Sequence, residues 1–301
     1  MKHFSNAIIL TVSIIFLLIF GEIVNFHQFS FNSPDFSRDS RDVLEFIAPF
    51  QSILSDYLTS PSYGITTCSI RKSMSKMMFN TMCLLYDSEN FLRGGKYKRC
   101  SYSDPNFAAL SKNFTTYPNF TNVVFIRDPF DRFLSLYLDK CVRQHKCFDC
   151  NEDMRCVVRE IYNSLKQRKS ASFMDLHSAP SSWFCDFENS MKTYDLLIIG
   201  SDLEERKVPA LKFSKILEDK GVPRELIRKI VGDLLVGETE HSTHRSKRRK
   251  IAAQQIRQDP IVREYLHKIY LNDYLIFPQF NRSHLDQKYQ QDDFDLVTFL
   301  M

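Results

Sequence analysis

The sequence predicts an α/β domain with a mainly parallel central sheet flanked by helices, set behind an apolar N-terminal helix. Three observations predict it. Short β-rich runs at 65–70, 122–126 and 196–199 alternate with helical patterns, which is how a chain builds a parallel sheet. The first two runs lead directly into amphipathic helices. The 301 residues are 44% hydrophobic, enough for one sizeable core, and show neither an internal repeat nor a second domain boundary.

Taken in order, the chain opens Met1-Lys2-His3 and runs apolar from Ala7 to Phe20, broken by Thr11 and Ser13. Extended to Val24, past Glu22, the run reaches the roughly 17–25 residues of a spanning helix. Residues 1–24 therefore read as a signal anchor, the alternative being a signal peptide cut near Gly21. Both send the remainder into the secretory lumen. Residues 25–44, rich in Ser with scattered Phe, read as a stem, and 45–301 as the lumenal domain. From Asp42 through Ile47 the pattern is helical, ending at Pro49.

A lumenal address fits two other features. Asn113, Asn119 and Asn281 each open an N-x-[ST] glycosylation triplet. The eight cysteines (68, 83, 100, 141, 147, 150, 156 and 185) all follow the anchor and are even in number, as disulfide pairing requires. Cys141, Cys147, Cys150 and Cys156 have a spacing that suits either a structural zinc or two local disulfides, and an oxidising lumen favours disulfides. No His or carboxylate spacing points to a catalytic metal. The net charge of +4 is too mild for nucleic-acid binding but suits anionic ligands where the charge is concentrated.

Two segments concentrate it. At the end of the first run, Ser69-Ile70-Arg71-Lys72-Ser73-Met74-Ser75-Lys76 leads into a helix with Met74, Met77, Met78, Met82 and Leu85 on one face. A strand entering a helix gathers backbone N–H groups and the positive end of the helix dipole, which favours phosphate or sulfate. Cations and hydroxyls crowd the same point. The glycine-rich Walker A pattern is absent, which argues against a nucleoside-triphosphatase or kinase. In the second segment, Asp128 is an N-cap and Pro129 the first helical residue. That helix should bury Phe130, Phe133, Leu134, Tyr137, Leu138 and Cys141, with Asp131, Arg132, Ser135 and Asp139 opposite. Arg127, at the strand end, offers a fork suited to bidentate phosphate binding. Further helical patterns cover 208–219, 223–235 and 258–272.

Together these two segments resemble the donor-binding signature of the Golgi carbohydrate sulfotransferases, in particular the chondroitin 4-O-sulfotransferase-like group and its nematode-type branch. Two later blocks add to the likeness. Asp175-Leu176-His177-Ser178-Ala179-Pro180, followed by Cys185 and Tyr194-Asp195, resembles the family's His-x-x-Pro…Cys…Tyr-Asp stretch. Tyr270-Leu271-Asn272-Asp273-Tyr274-Leu275-Ile276-Phe277 resembles its closing helix. The family usually places Pro-Lys before the loop Cys, where this chain has Gly64 and Ile65, so Arg71 would replace the missing cation.

The resemblance implies a P-loop-like sulfotransferase fold, with 3′-phosphoadenosine-5′-phosphosulfate (PAPS) as co-substrate and no metal. It implies Lys72 at the leaving 5′-phosphate, assisted by Ser69, Arg71 and Ser73, and Arg127 with Ser135 at the 3′-phosphate, joined by Arg132. His177 would be the general base, with Asp175 and Glu188 as competitors. The expected acceptor is a glycan hydroxyl, anionic or neutral, with chondroitin GalNAc 4-O-sulfation in front. Another glycan, protein tyrosine, or an inactive glycan-binding paralogue are the alternatives. The expected location is the Golgi membrane, single-pass type II with a lumenal catalytic domain, or secretion after cleavage. The basic run 244–250 is either a solvated loop or a lid over donor or polysaccharide.

Overall fold

A computed structural model describes residues 45–93, 119–167, 172–236 and 247–280, all within the compact unit Leu44–Met301. The expected anchor at 1–24, the stem at 25–44, Asn113, Asn281 and Cys100 lie outside the described residues. No helix among the described residues is long and apolar enough to cross a membrane.

Four strands form one sheet in the order β1-β2-β3-β4: β1 (Asp56–Ser60), β2 (Ile65–Ser69), β3 (Thr121–Ile126) and β4 (Tyr194–Ile198). The β2–β3 and β3–β4 pairings are parallel, as expected, with Cys68 opposite Val124 and Val124 opposite Leu196. The antiparallel edge strand β1 was not foreseen from the sequence. It returns into β2 through the tight turn Pro61–Tyr63, closed by Gly64 at φ 60°, a conformation that glycine adopts without a Cβ clash.

Seven longer helices cover the sheet: α1 (Ser75–Tyr86), α2 (Pro129–Leu136), α3 (Met154–Gln167), α4 (Leu203–Asp219), α5 (Arg224–Val236), α6 (Arg249–Gln258) and α7 (Pro260–Ile276). Because side chains alternate along a strand, each face of the sheet feeds a separate core. Cys68, Val124 and Ile126 pack with α2, α3 and α7. Ile65, Val123, Phe125 and Leu197 pack with α1, α4 and α5. The result is a three-layer α/β/α arrangement.

Helix α2 starts where the sequence indicates. The Asp128 carboxylate accepts from the Phe130 and Asp131 N–H groups at 2.9 and 3.4 Å, with Pro129 in the first turn. All six expected apolar positions are buried. The opposite face departs from expectation: Arg132, Ser135 and Asp139 are buried too, because that face packs on the β2–α1 loop rather than on water. After Leu136 the helix widens into a π-helical segment, Tyr137–Arg143.

The helix expected around 42–47 is absent from its described part, 45–47. Instead the Ile47 N–H donates to the Lys268 carbonyl at 2.9 Å, and Asn272 donates to the Ile47 carbonyl at 2.8 Å. Tertiary hydrogen bonds to α7 thus override a weak local propensity.

The cysteine question is settled for most of the set. Cys141 pairs with Cys147 and Cys150 with Cys156, so these four are disulfides rather than a zinc site. A third bridge, Cys68–Cys185, joins the end of β2 to a segment 117 residues later. Cys83 is disulfide-bonded as well.

Helix α7 braces the region between α3 and β4. Asp273 is fully buried and accepts from the Ser181 and Ser182 N–H groups at 2.6 and 2.9 Å. Tyr270 donates to the Ser178 carbonyl at 2.6 Å. Substituting Asp273→Ala strands both N–H donors, so urea unfolding should show a loss of about 2–4 kcal/mol. Asp273→Asn, which keeps one acceptor oxygen, should lose less.

Candidate active site

Phosphate-sized ligands of parallel α/β sheets bind beyond the carboxyl ends of the strands. Here the ends of β2, β3 and β4 bring together Arg71-Lys72-Ser73, Arg127-Asp128 and Gly200-Ser201. The loop after β2 is tightly wound: the Ser73 N–H returns to the Ile70 carbonyl at 3.2 Å, while Lys72 and Met74 take left-handed conformations at φ 68° and 58°. Such conformations cost non-glycine residues on the order of 1–3 kcal/mol and persist only where surroundings enforce them.

Two guanidiniums enforce them. Arg132 donates from Nε to the Arg71 carbonyl at 3.0 Å and from Nη1 to the Ala179 carbonyl at 2.6 Å. Arg127 donates from Nη1 to the Lys72 carbonyl at 3.2 Å and from Nη2 to Ser201 Oγ at 2.6 Å. Burial pushes Arg127 down to about 10, with Asp131 opposing. Burial also lowers Arg132, opposed by Tyr270 and Asp273. Arg132 thus stands under the loop, tying it to 177–179, rather than open in front of it.

The Lys72 side chain is 8% exposed and its ammonium meets the buried Asp139 carboxylate. Burial pushes Lys72 down to about 8, against the pull of Asp139. Burial would raise Asp139, yet Lys72, Lys140 and Arg143 together hold it well below the carboxylate range. Arg71 turns outward to Asp56 of β1 at 3.2 Å. Ser69 is buried at the end of β2, and Ser135 is buried on the face of α2 shared by Arg132 and Asp139.

His177 also belongs to this group. Its Nδ1 faces the Phe173 carbonyl at 2.7 Å, so in the neutral ring Nδ1 carries the hydrogen and Nε2 is the acceptor. Burial first, then the charges of Lys72, Arg71 and Lys140, push it down to about 3, despite the Phe173 contact. The two competing bases are placed otherwise. Asp175 accepts from Ser164 Oγ and the Ser172 N–H, both at 2.7 Å, and Glu188 is exposed.

A second cationic group surrounds Ser201. Arg249 donates to Asp131 at 2.7 Å and to Ser201 Oγ at 3.0 Å, and Ser201 Oγ donates to Asp131 at 2.8 Å. Arg206 reaches the Ser201 carbonyl at 3.1 Å. Within the described part of the basic run, Lys247, Arg248 and Lys250 are exposed, and Arg249 turns inward. At Gly200 a Cβ would lie 2.0 Å from that of Glu205, so only glycine fits beside the capping box that starts α4.

Three donors at this site lack a hydrogen-bond partner among the described residues: Ser73 Oγ, Arg127 Nε and Arg249 Nη1. Stranded buried donors are rare and costly. Their chemistry fits a ligand with anionic oxygens.

Residues 55–280 match the Sulfotransferase family. The chain belongs to that family. It is similar to the carbohydrate sulfotransferase chst-1 of Caenorhabditis elegans, 29% identical over 254 residues, covering 77% of each chain. It is 28% identical over 211 residues to the putative sulfotransferase vep-2 of the same organism, covering 61% of this chain and 64% of that one. No solved structure matches significantly. As a sulfotransferase, this enzyme has PAPS as its implied sulfuryl donor, and the stranded donors are of the kind that its phosphates require. Among the described residues, no group of His, Cys, Asp or Glu is arranged to hold a metal ion.

The sulfotransferase's His177 has a folded value near 3 against an ordinary 6.5. Its imidazole resonances should therefore stay flat from about pH 5 to 8 in an NMR titration. Within the 6.5-to-3 window the unfolded chain binds a proton that the folded one refuses. Stability should accordingly fall as the pH drops through it, with a shallower slope in His177→Gln.

Proposed function

We propose that the chain transfers the sulfuryl group of PAPS to a hydroxyl of a glycan, with the GalNAc 4-OH of chondroitin as the preferred acceptor. The observation that carries the reading is the meeting of Lys72, the stranded Ser73 hydroxyl and the Arg127 guanidinium at the ends of β2 and β3, in a chain matched to the Sulfotransferase family over 55–280. The glycan acceptor is supported by likeness to a carbohydrate sulfotransferase. The 4-O position rests on the four sequence blocks.

Sulfuryl transfer demands in-line positioning and neutralisation of charge on the leaving oxygen. In this reading Lys72 donates to the bridging oxygen as its bond to sulfur breaks, and Ser73 and Ser69 donate to the 5′-phosphate beside it. Arg127 and Ser135 hold the 3′-phosphate, with Arg206 and Arg249 adding positive potential at Ser201. His177 Nε2 takes the proton from the acceptor hydroxyl as that oxygen bonds to sulfur. Burial depresses His177 first; of the cations that add to it, Lys72 is the one a donor phosphate would neutralise, which restores part of its basicity. Arg132 keeps the loop wound and touches neither substrate.

We place the reaction in the Golgi lumen, behind the N-terminal anchor at 1–24. The bridges Cys68–Cys185, Cys141–Cys147 and Cys150–Cys156 support an oxidising compartment, and Asn119 is exposed in the turn before β3, open to glycosylation.

With labelled PAPS and desulfated chondroitin, wild type should label the polymer. Lys72→Ala should lower kcat by about 10²–10³ while still binding adenosine 3′,5′-bisphosphate. Arg127→Ala should lose that binding. Donor binding without transfer by wild type would refute the acceptor; transfer surviving in Lys72→Ala would refute the role of Lys72.

A further inference from the structure

Asp139 belongs to none of the positions so far given a part in transfer, yet it is the carboxylate that the Lys72 ammonium meets. It lies in the π-helical segment after α2, where the Gln144 N–H reaches back five residues to the Asp139 carbonyl at 3.2 Å. Such widenings within helices recur at functional sites. The Asp139 side chain is 1% exposed and is surrounded by donors: Lys72, Arg143, Lys140 at 3.3 Å, and Gln144 Nε2 at 2.9 Å. Three cations thus meet at one carboxylate.

Stability is a poor explanation for this arrangement. Burying an ion pair generally gains little over packing apolar side chains of similar size. What a single buried carboxylate does supply is a fixed location and a fixed charge for the ammonium beside it.

We propose that Asp139 is a positioning residue for sulfuryl transfer: it holds the Lys72 ammonium at the carboxyl end of β2 and keeps it protonated. This rests on the reading of Lys72 as the group that meets the leaving oxygen.

Geometry and charge agree. Arg132, Ser135 and Asp139 follow one another at helical spacing on one buried face of α2 and its extension. Arg132 grips the loop backbone at Arg71, and Asp139 grips the Lys72 side chain. One helix face therefore sets both the path of the loop and the direction of its lysine.

The charged groups facing Lys72 are Asp139, Lys140 and Arg143 from the π-helical segment, Arg127 at its carbonyl, and His177 and Arg71 beside it. Burial lowers Lys72, Lys140 and Arg143 lower it further, and Asp139 opposes them. Because transfer needs the ammonium, activity falls as pH rises through the Lys72 value. Removing the carboxylate lowers that value, so the alkaline limb must move to lower pH.

The test is the pH profile of kcat/KM for PAPS, which reports groups of the free enzyme, measured on the full chain at saturating acceptor. Asp139→Asn should shift the alkaline limb down by about 1–3 units. Asp139→Glu should return the limb to its wild-type place while kcat stays about 10–100-fold low, since the longer side chain displaces the ammonium. Lys140→Gln removes a neighbouring cation and should shift the limb up, which keeps the test open if Asp139→Asn does not fold. An unmoved limb in the folded Asp139→Asn or in Lys140→Gln would overturn the proposal, as would full kcat in Asp139→Glu. Activity surviving in Lys72→Ala would instead refute the underlying role of Lys72, a separate failure with a separate signature.

Discussion

The β2–α1 loop is held in shape by donors placed behind it. Its left-handed residues gain no stability from their own conformation, and the loop contains no glycine to relieve them. Arg132 and Arg127 instead donate to the carbonyls of Arg71 and Lys72, one from within α2 and one from the end of β3. Both guanidiniums are buried, and their charge is offset largely by carbonyl and hydroxyl oxygens. Strain and desolvation are therefore concentrated in one small region, the usual mark of a site selected for chemistry rather than stability.

Helix α7 closes the assembly from the other side. Tyr274 hydrogen-bonds to the Asp128 carboxylate at 3.2 Å and meets the Phe130 N–H at 3.3 Å, at the start of α2. Tyr270, one turn earlier, and Asp273, the residue before Tyr274, hold 178–182, the stretch that follows His177. Residues four and one positions apart thus tie the second sequence block to the third. The closing motif is a clamp between those blocks and makes no contact of its own with the β2–α1 loop among these bonds.

Much of this was legible in the sequence because local rules dictated it. A β-rich run entering an amphipathic helix locates the loop, and Asp128-Pro129 marks a helix start by capping chemistry alone. The signals that failed were tertiary. Strand β1 is short and half polar, and its identity comes from pairing with β2. Residues 45–47 read as helix until their hydrogen bonds go to α7. The polar face of α2 has the composition of a solvated surface, and only the arrival of the β2–α1 loop makes it interior. Ser201, Arg206 and Arg249 carry no motif at all; a Gly-Ser after the third apolar run was the one available hint. Arg249 in particular lies within a basic run that reads as a solvated loop or a lid, with nothing to single out the one residue that turns inward.

The Cys68–Cys185 bridge gives the site a history as well as a shape. Cys68 sits one residue before Ser69 at the foot of the β2–α1 loop, and Cys185 follows the stretch braced by α7. The bond spans 117 positions, so it forms after distant parts of the chain have met and then limits how far they can separate. The β2–α1 loop and the stretch that carries His177 are thereby joined covalently. Reduction would leave the same residues present but untethered, free to separate by as much as the rest of the packing allows.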